Sequence, residues 1–327
     1  MRLPKFTYFR PTTVAEVCSL LSEYRGEARV LAGGTALMVD LGQRLVTPKY
    51  IISLNSIPRL SYIEDDRQRG LRIGACTTID HLNTSAVIKE RYPILDLAAR
   101  GIGIPAVRYT GTVGGNLSLD TRCIYYNQSD FWRQVRPPCF KRNGNICYAV
   151  KGSQRCYAVC QADLAPVLLA LEAKVKLVQS AGERIVSLSE FFTGKGERPN
   201  VVRPEEIIAE IQLPPPSENT IGSYQKLRIR EAIDFPLAAV AMVLDMDRNK
   251  VCRKAKLVLG AVASAPVEVG ETENILKGKK VNDVLIDEAA EAAFKSAHPV
   301  DNLSIDASYR RKMTRVLVKR ALKQTLG

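Results

Sequence analysis

Three consecutive prolines, Pro214 to Pro216, interrupt the chain in "LPPPSEN". Proline has no backbone N–H, and its ring clashes with the preceding helical turn. Such a run therefore joins neither a sheet ladder nor a helix interior. The chain has to fold as separate units on either side, and each flank is long enough to close a core. Hydrophobic residues make up 46% of the 327 and charged residues 25%, a balance that excludes a disordered chain.

Before the prolines, short strands alternate with helices. "ARVLAGGT" reads as a strand entering a glycine turn, and "TALMVDLGQRL" as a helix after Thr35. "YIISLNSI" and "GLRIGACT" read as strands, and "TIDHLNTSAVIKERYPILDLAARGI" as helical as far as Gly101. "DLAPVLLALEAKVKLVQSAGERIVSLSEFF" reads as a helix and two strands with a turn at Gly182. Beyond the prolines, "GSYQKLRIREAIDFPLAAVAMVLDMD" and "VCRKAKLVLGAVASAPVEV" read as the sheet of a second, α+β unit closed by two helices.

No apolar leader opens "MRLPKFTYFRPTT", and runs such as "LAPVLLALEA" are far short of a membrane span. The expected location is the cytoplasm, with no membrane partner. Disulfides are rare there, so the eight cysteines are expected as buried thiols or metal ligands. The net charge of +13 comes from two clusters. One is the tail "YRRKMTRVLVKRALKQ", whose Tyr309, Met313, Val316, Leu317 and Leu322 fall near helical spacing. It reads as an amphipathic helix with a solvated basic face rather than a nucleic-acid grip. The other runs from Arg122 to Cys160, with seven basic residues against Asp130 alone.

Two glycine turns carry binding chemistry. "LAGGTALMVDL" sets Gly33 and Gly34 between a strand and a helix, and "TGTVGGNLSLD" repeats the device at Gly111, Gly114 and Gly115 beside Thr112 and Asn116. Bare backbone N–H groups in such turns can cradle a phosphate. Either alone is commonly a plain structural turn, whereas two in one region point to a pyrophosphate cofactor. "GIGIPA" at Gly101 to Ala106 mimics a dinucleotide fingerprint, but a helix precedes it and Pro105 interrupts it.

Cys123, Cys139, Cys147, Cys156 and Cys160 crowd into the second basic stretch, where chance would put about one. The intervening gaps are 15, 7, 8 and 3 residues, and only the last approaches a zinc knuckle. His81 and His298 lie far away in sequence. Four thiolates without histidine suit either zinc or an iron–sulfur cluster. Tyr125, Tyr126, Phe131, Trp132, Phe140 and Tyr148 would wall such a centre from water, or simply pack the insertion.

Together, "LAGGTALMVDL", "GTVGGNLSLDTRC", "ADLAPVLLAL" and "SYQKLRIREAIDFPLAAVA" resemble the FAD-binding medium subunits of the xanthine dehydrogenase family of molybdenum hydroxylases. The resemblance covers nearly the whole chain, in order. "DTRCIYYNQSDFWR" with its spaced cysteines is similar to the 4-hydroxybenzoyl-CoA reductase branch, whose β subunits carry an extra [4Fe–4S] cluster.

The resemblance implies an α+β fold. A two-subdomain FAD-binding region of the PCMH type would occupy 1–216, with subdomains about 1–55 and 56–216 and a cluster-binding insertion at about 120–160. A flavoprotein C-terminal domain would occupy 217–327. It implies FAD with its pyrophosphate on Leu31, Ala32, Gly33, Gly34, Thr35, Ala36 and Leu37 and on Gly111, Thr112, Gly114, Gly115 and Asn116. Asp163 and Lys226 would contact the flavin and Ile208 would cover its ring. On residues alone, Asp163 serves equally as the N-cap of "LAPVLLAL". Cys123, Cys139, Cys147 and Cys156 match the cluster-ligand positions, and Cys160 departs from the pattern.

No catalytic residue is expected on this chain. Substrate would bind a molybdenum-cofactor large subunit, with a [2Fe–2S] small subunit between, in a dimer of heterotrimers fed by a ferredoxin. The alternatives are the FAD subunit of a molybdenum hydroxylase for a heterocycle or aldehyde, and a zinc-bearing nucleic-acid-binding protein. The absence of regular finger spacing argues against the latter.

Overall fold

The structure is a computed structural model that describes residues 3–326. Its first sheet is parallel, in the order β1-β3-β2, from β1 (Thr7–Phe9), β2 (Ala28–Leu31) and β3 (Tyr50–Ser53). Parallel neighbours need crossovers, and the helix Val14–Glu23 supplies the first, capped by the Thr13 side chain. Val17 and Leu21 of that helix are buried with Ala28, Ile52 and Leu54 in a small core.

The second sheet is antiparallel, in the order β4-β5-β10-β6-β7. It is built from β4 (Ile63–Asp66), β5 (Gly70–Gly74), β6 (Lys174–Gln179), β7 (Gly182–Ser187) and, after the hairpin of β8 (Phe192–Lys195) and β9 (Arg198–Asn200), β10 (Ile207–Leu213). β10 lies between β5 and β6, so residues 75–173 leave this sheet and come back to it. That excursion carries a group of short helices, the second glycine turn and the cysteine stretch. Its apolar residues and the sheet share the central core, from Leu71 and Ile73 to Leu164, Val167 and Leu168.

Beyond the prolines, β11 (Thr220–Leu227), β12 (Ala238–Met246), β13 (Cys252–Gly260) and β14 (Val267–Glu268) form an antiparallel sheet in chain order. β12 is covered on both faces, which explains its unbroken apolar run. Val240, Met242 and Leu244 face the helices Asp283–Ser296 and Ala307–Leu326. Ala241 and Val243 face the central core instead. The α+β expectation agrees with this architecture. No helix among the described residues is long and apolar enough to cross a membrane.

Two local expectations are corrected. The stretch 78–101 is three helices, Ile79–Thr84, Ala86–Arg91 and Pro93–Arg100, not one. Ser85 caps the second by accepting from Ile88 N, and Pro93 opens the third while holding Tyr92 out of the helical region. In the last helix the buried stripe is Arg310, Thr314, Leu317, Val318, Ala321 and Leu322, whereas Tyr309 and Val316 are exposed. Part of its basic face is not simply solvated. Arg315 and Lys319 pair with Glu291 and Asp287, and Lys323 lies 3.5 Å from Asp283.

Candidate functional site

β2 ends at Leu31, and the chain passes through Ala32, Gly33, Gly34, Thr35 and Ala36 into the helix Leu37–Gly42. The second turn follows the helix Pro105–Thr110. There Thr112 caps Val113–Leu117, accepting from Gly115 N at 3.1 Å. It is fastened to the end of β5 by Gly114 N to Ala75 O (2.8 Å), Val113 N to Thr77 O (2.9 Å) and Ile79 N to Gly111 O (2.9 Å). The fold brings the two turns into contact. A Cβ on Gly33 would lie 1.8 Å from Thr110 O and 3.0 Å from Gly111 Cα. Only glycine permits that approach, and it leaves two stretches of bare backbone side by side.

Asp163 immediately precedes the helix Leu164–Ala170, but its side chain caps nothing there. Asn116 Oδ1 accepts from Leu164 N at 3.0 Å, which ties the second glycine turn to that helix. Asp163 Oδ1 instead lies 2.8 Å from Lys226 Nζ and accepts from Tyr224 Oη at 2.9 Å. Lys226 Nζ and Arg228 Nη1 both donate to Gly101 O, at 2.9 and 3.3 Å. The Asp163 and Lys226 side chains are 3% and 6% exposed, so this is a buried ion pair joining the two sides of the proline break.

Burial pushes the Asp163 carboxyl up, against the pull of Lys226, and pushes the Lys226 ammonium down, against the pull of Asp163. Such a pair resists separation because either charge alone would be stranded without water. Tyr224 was missed from sequence. The usable signal was its place two residues before Lys226, on the same face of β11. Ile208 sits in β10 opposite Leu177, buried in the central core.

The cysteine stretch leaves and re-enters the fold at one point. Arg122 and Val159 exchange two backbone hydrogen bonds, each 2.8 Å, and close a neck. Inside it, regular structure is limited to the helix Asp130–Gln134 and a 3₁₀ turn at Phe140–Arg142. Arg133, 4% exposed, anchors the excursion by donating to Gln43 O and Arg44 O at the end of the first glycine-turn helix. Phe131 and Trp132 on the same helix point outward, at 69% and 61% exposure.

Cys123, Cys139, Cys147 and Cys156 line one cavity, walled by Tyr125, Tyr126, Phe140, Ile146, Tyr148 and Tyr157 and reached by Lys141. Among the described residues no group of three or more His, Cys, Asp or Glu is drawn together to hold a metal ion; the four thiols surround a space. Burial, reinforced by the other three thiols, pushes Cys123 up to about 12. Burial pushes Cys156 up to about 11, opposed by the Ala158 N–H and Lys141. Cys160 is not in this set; it is buried in the central core, and burial pushes it up to about 11.

Gly196, in the turn of the β8–β9 hairpin, was not visible as part of this region. A Cβ there would lie 2.8 Å from Cys156 Sγ. Asp40, on the first glycine-turn helix, has Oδ1 buried without a hydrogen-bond partner among the described residues, and burial pushes it up to about 6 against Arg122.

The family described as "FAD binding domain in molybdopterin dehydrogenase" matches residues 4–216. The chain belongs to that FAD-binding family. The "CO dehydrogenase flavoprotein C-terminal domain" follows at residues 222–325, so both units of this flavoprotein type are present in order. The aldehyde oxidoreductase FAD-binding subunit of Escherichia coli is 30% identical over 314 residues, 90% of this chain and 91% of that protein. The carbon monoxide dehydrogenase medium chain of Hydrogenophaga pseudoflava is 28% identical over 319 residues, 98% and 96% of the two chains.

Among solved structures, a carbon monoxide dehydrogenase from the same organism superposes with a TM-score of 0.82 at 27% identity, covering 100% of this chain and 99% of that one. The chain is thus an FAD-binding oxidoreductase subunit of the molybdenum hydroxylase type.

Proposed function

We propose that this chain is the flavin and iron–sulfur electron-transfer subunit of a molybdenum enzyme, with FAD on the two glycine turns and a [4Fe–4S] cluster held by Cys123, Cys139, Cys147 and Cys156. The observation that carries the reading is the single cavity lined by these four thiols, in an excursion that begins just after the second glycine turn. A cluster needs thiolate donors around a space rather than a point, with apolar walls and nearby positive charge. The residues present fit that description.

For FAD, the fit rests on the side-chain-free contact of Gly33 with Thr110 and Gly111, and on polar groups held nearby. Bound flavin would supply an exchange between two-electron and one-electron chemistry. This chain's own contribution is position and charge. The turns at 31–37 and 111–116 would offer backbone donors to the pyrophosphate. Asp163, fixed by Tyr224 and Lys226, would hold its carboxylate still beside the flavin. Ile208 is proposed as the apolar cover of the ring. The division at 1–55, 56–216 and 217–327 is part of the same reading.

The proposed partners are a molybdenum-cofactor large subunit and a [2Fe–2S] small subunit in a dimer of heterotrimers, with a ferredoxin as electron donor in the cytoplasm. The proposed reaction of the complex is reductive dehydroxylation of 4-hydroxybenzoyl-CoA to benzoyl-CoA. The exposed basic residues Arg136, Lys151 and Arg155 of the insertion suit an acidic donor. A second reading, oxidation of an aldehyde, is favoured by the E. coli relative's name.

Iron, acid-labile sulfide and flavin assays on anaerobically purified protein test the cofactors. Cys123→Ser, Cys139→Ser, Cys147→Ser and Cys156→Ser are each expected to lose most of the iron, and Cys160→Ser to keep it. A colourless, zinc-containing preparation would sink the reading. Assay of the co-purified complex with aryl-CoA thioesters and with aldehydes decides between the two substrate classes.

A further inference from the structure

Two basic residues of the insertion, Arg133 and Lys141, hold charges that are neither exposed nor free to move, and of the two only Lys141 lines the cysteine cavity. Its side chain is 5% exposed. Nζ donates to Asp120 Oδ1 at 2.7 Å, Thr121 Oγ1 at 2.7 Å and Gly196 O at 2.9 Å, which uses all three of its donors. The ammonium also lies 5.2 Å from the centroid of the Tyr126 ring. None of the three acceptors lies between Arg122 and Val159, the two sides of the neck. Asp120 and Thr121 come before the neck, on the segment leaving the second glycine turn, and Gly196 is in the β8–β9 hairpin.

Lys141 therefore reaches back out of the insertion to the body of the protein, and it does so from the wall of the cysteine cavity. An ammonium taken out of water is costly unless something repays it. Asp120 offsets it only in part, since that carboxylate is 46% exposed and shared with solvent.

We propose that Lys141 is a positioning charge that makes a centre in the cysteine cavity easier to reduce, with Asp120 as the counterweight that limits the effect. This rests on the [4Fe–4S] reading above. Reduction of such a centre by one electron from a low-potential reductant forms and breaks no bond and needs no proton. Its electrostatic consequence is one further negative charge beside four thiolates. A cation fixed at the cavity wall stabilises that added charge without reorganising, and the low exposure of the site keeps the interaction strong.

The test is a redox titration of the purified complex, poised with dithionite and followed by EPR, with iron and sulfide counted per chain. Lys141→Met is expected to lower the reduction equilibrium constant about tenfold, a shift of about 59 mV for a one-electron couple. Lys141→Arg, which keeps the charge, is expected to stay within about threefold of wild type. Asp120→Asn is expected to move the potential the opposite way from Lys141→Met, an opposition that a merely structural contact would not give. If the wild-type protein carries no iron–sulfur centre, the cluster reading fails. If wild type carries one and the Lys141→Met and Asp120→Asn shifts are absent or of the same sign, the role of Lys141 is overturned while the cluster stands. Should Lys141→Met lose its iron, Asp120→Asn decides alone: a higher potential supports the proposal and an unchanged one overturns it.

Discussion

A Cβ at position 33 would stand 1.8 Å from the carbonyl oxygen of Thr110, far inside the separation at which two uncharged atoms rest. Gly33→Ala must push the two glycine turns apart, at a cost of about 1–3 kcal/mol. Flavin retention on gel filtration is expected to fall at least tenfold in FAD affinity, while the rest of the fold survives; unchanged affinity would remove this contact from the binding site. Asp40 illustrates the opposite case, a side chain the folded apoprotein holds unwillingly. Its carboxyl rises from an ordinary 3.8 to about 6 through burial. A raised acid favours folding while protonated, so that contribution is intact below about pH 3.8 and is lost as the pH rises through about 6. Asp40→Asn should therefore leave apoprotein stability unchanged near pH 4 and raise it near pH 8, by at most ~3 kcal/mol. Urea melts at the two pH values measure this, and equal gains at both would refute it.

Among the elements, the last helix depends on a residue of the wrong polarity for its position. Arg310 is 0% exposed, and burial pushes its guanidinium down to about 10. It donates to Leu237 O at 2.8 Å, Val300 O at 3.1 Å and Ala261 O at 2.5 Å, and so binds the helix to the residue before β12, the residue after β13 and the loop that joins the last two helices. Arg310→Met keeps the bulk but strands three carbonyls, and is expected to cost about 2–4 kcal/mol in chemical denaturation. A loss below ~1 kcal/mol would mean that water takes over those acceptors. The hydrophobic pattern could not show this, because an arginine in the buried stripe looks like a break in it. The same limit explains the stretch 78–101. Its apolar spacing is helical throughout, whereas the interruptions come from the Ser85 cap and the backbone preference before Pro93. Strands were easier to read, since β2, β3 and β12 are short apolar runs bounded by turns or prolines.

For the molecule as a whole, what stood out in sequence was the short motifs of the candidate site, the glycine turns and the cysteines, whereas Asp163 and Lys226 entered only through the family resemblance. Their mutual placement depends on β10 returning between β5 and β6 and on the last sheet packing against the central core. Long-range closures of this kind leave no local signature, which is why Gly196 and Tyr224 went unseen. The overall charge was also misleading in bulk. Acidic residues of the neighbouring helix answer part of the tail's positive charge. In the insertion, Arg133 and Lys141 are internal fasteners, whereas Arg136 and Arg155 lie over aromatic rings at the surface. The neck formed by Arg122 and Val159 has a consequence for how such a protein can change over time. Because the excursion begins and ends at one hydrogen-bonded bridge, removing it and rejoining the strands there would leave the sheets and both glycine turns uncut. A lineage can therefore gain or discard this cassette without redesigning the flavoprotein that carries it.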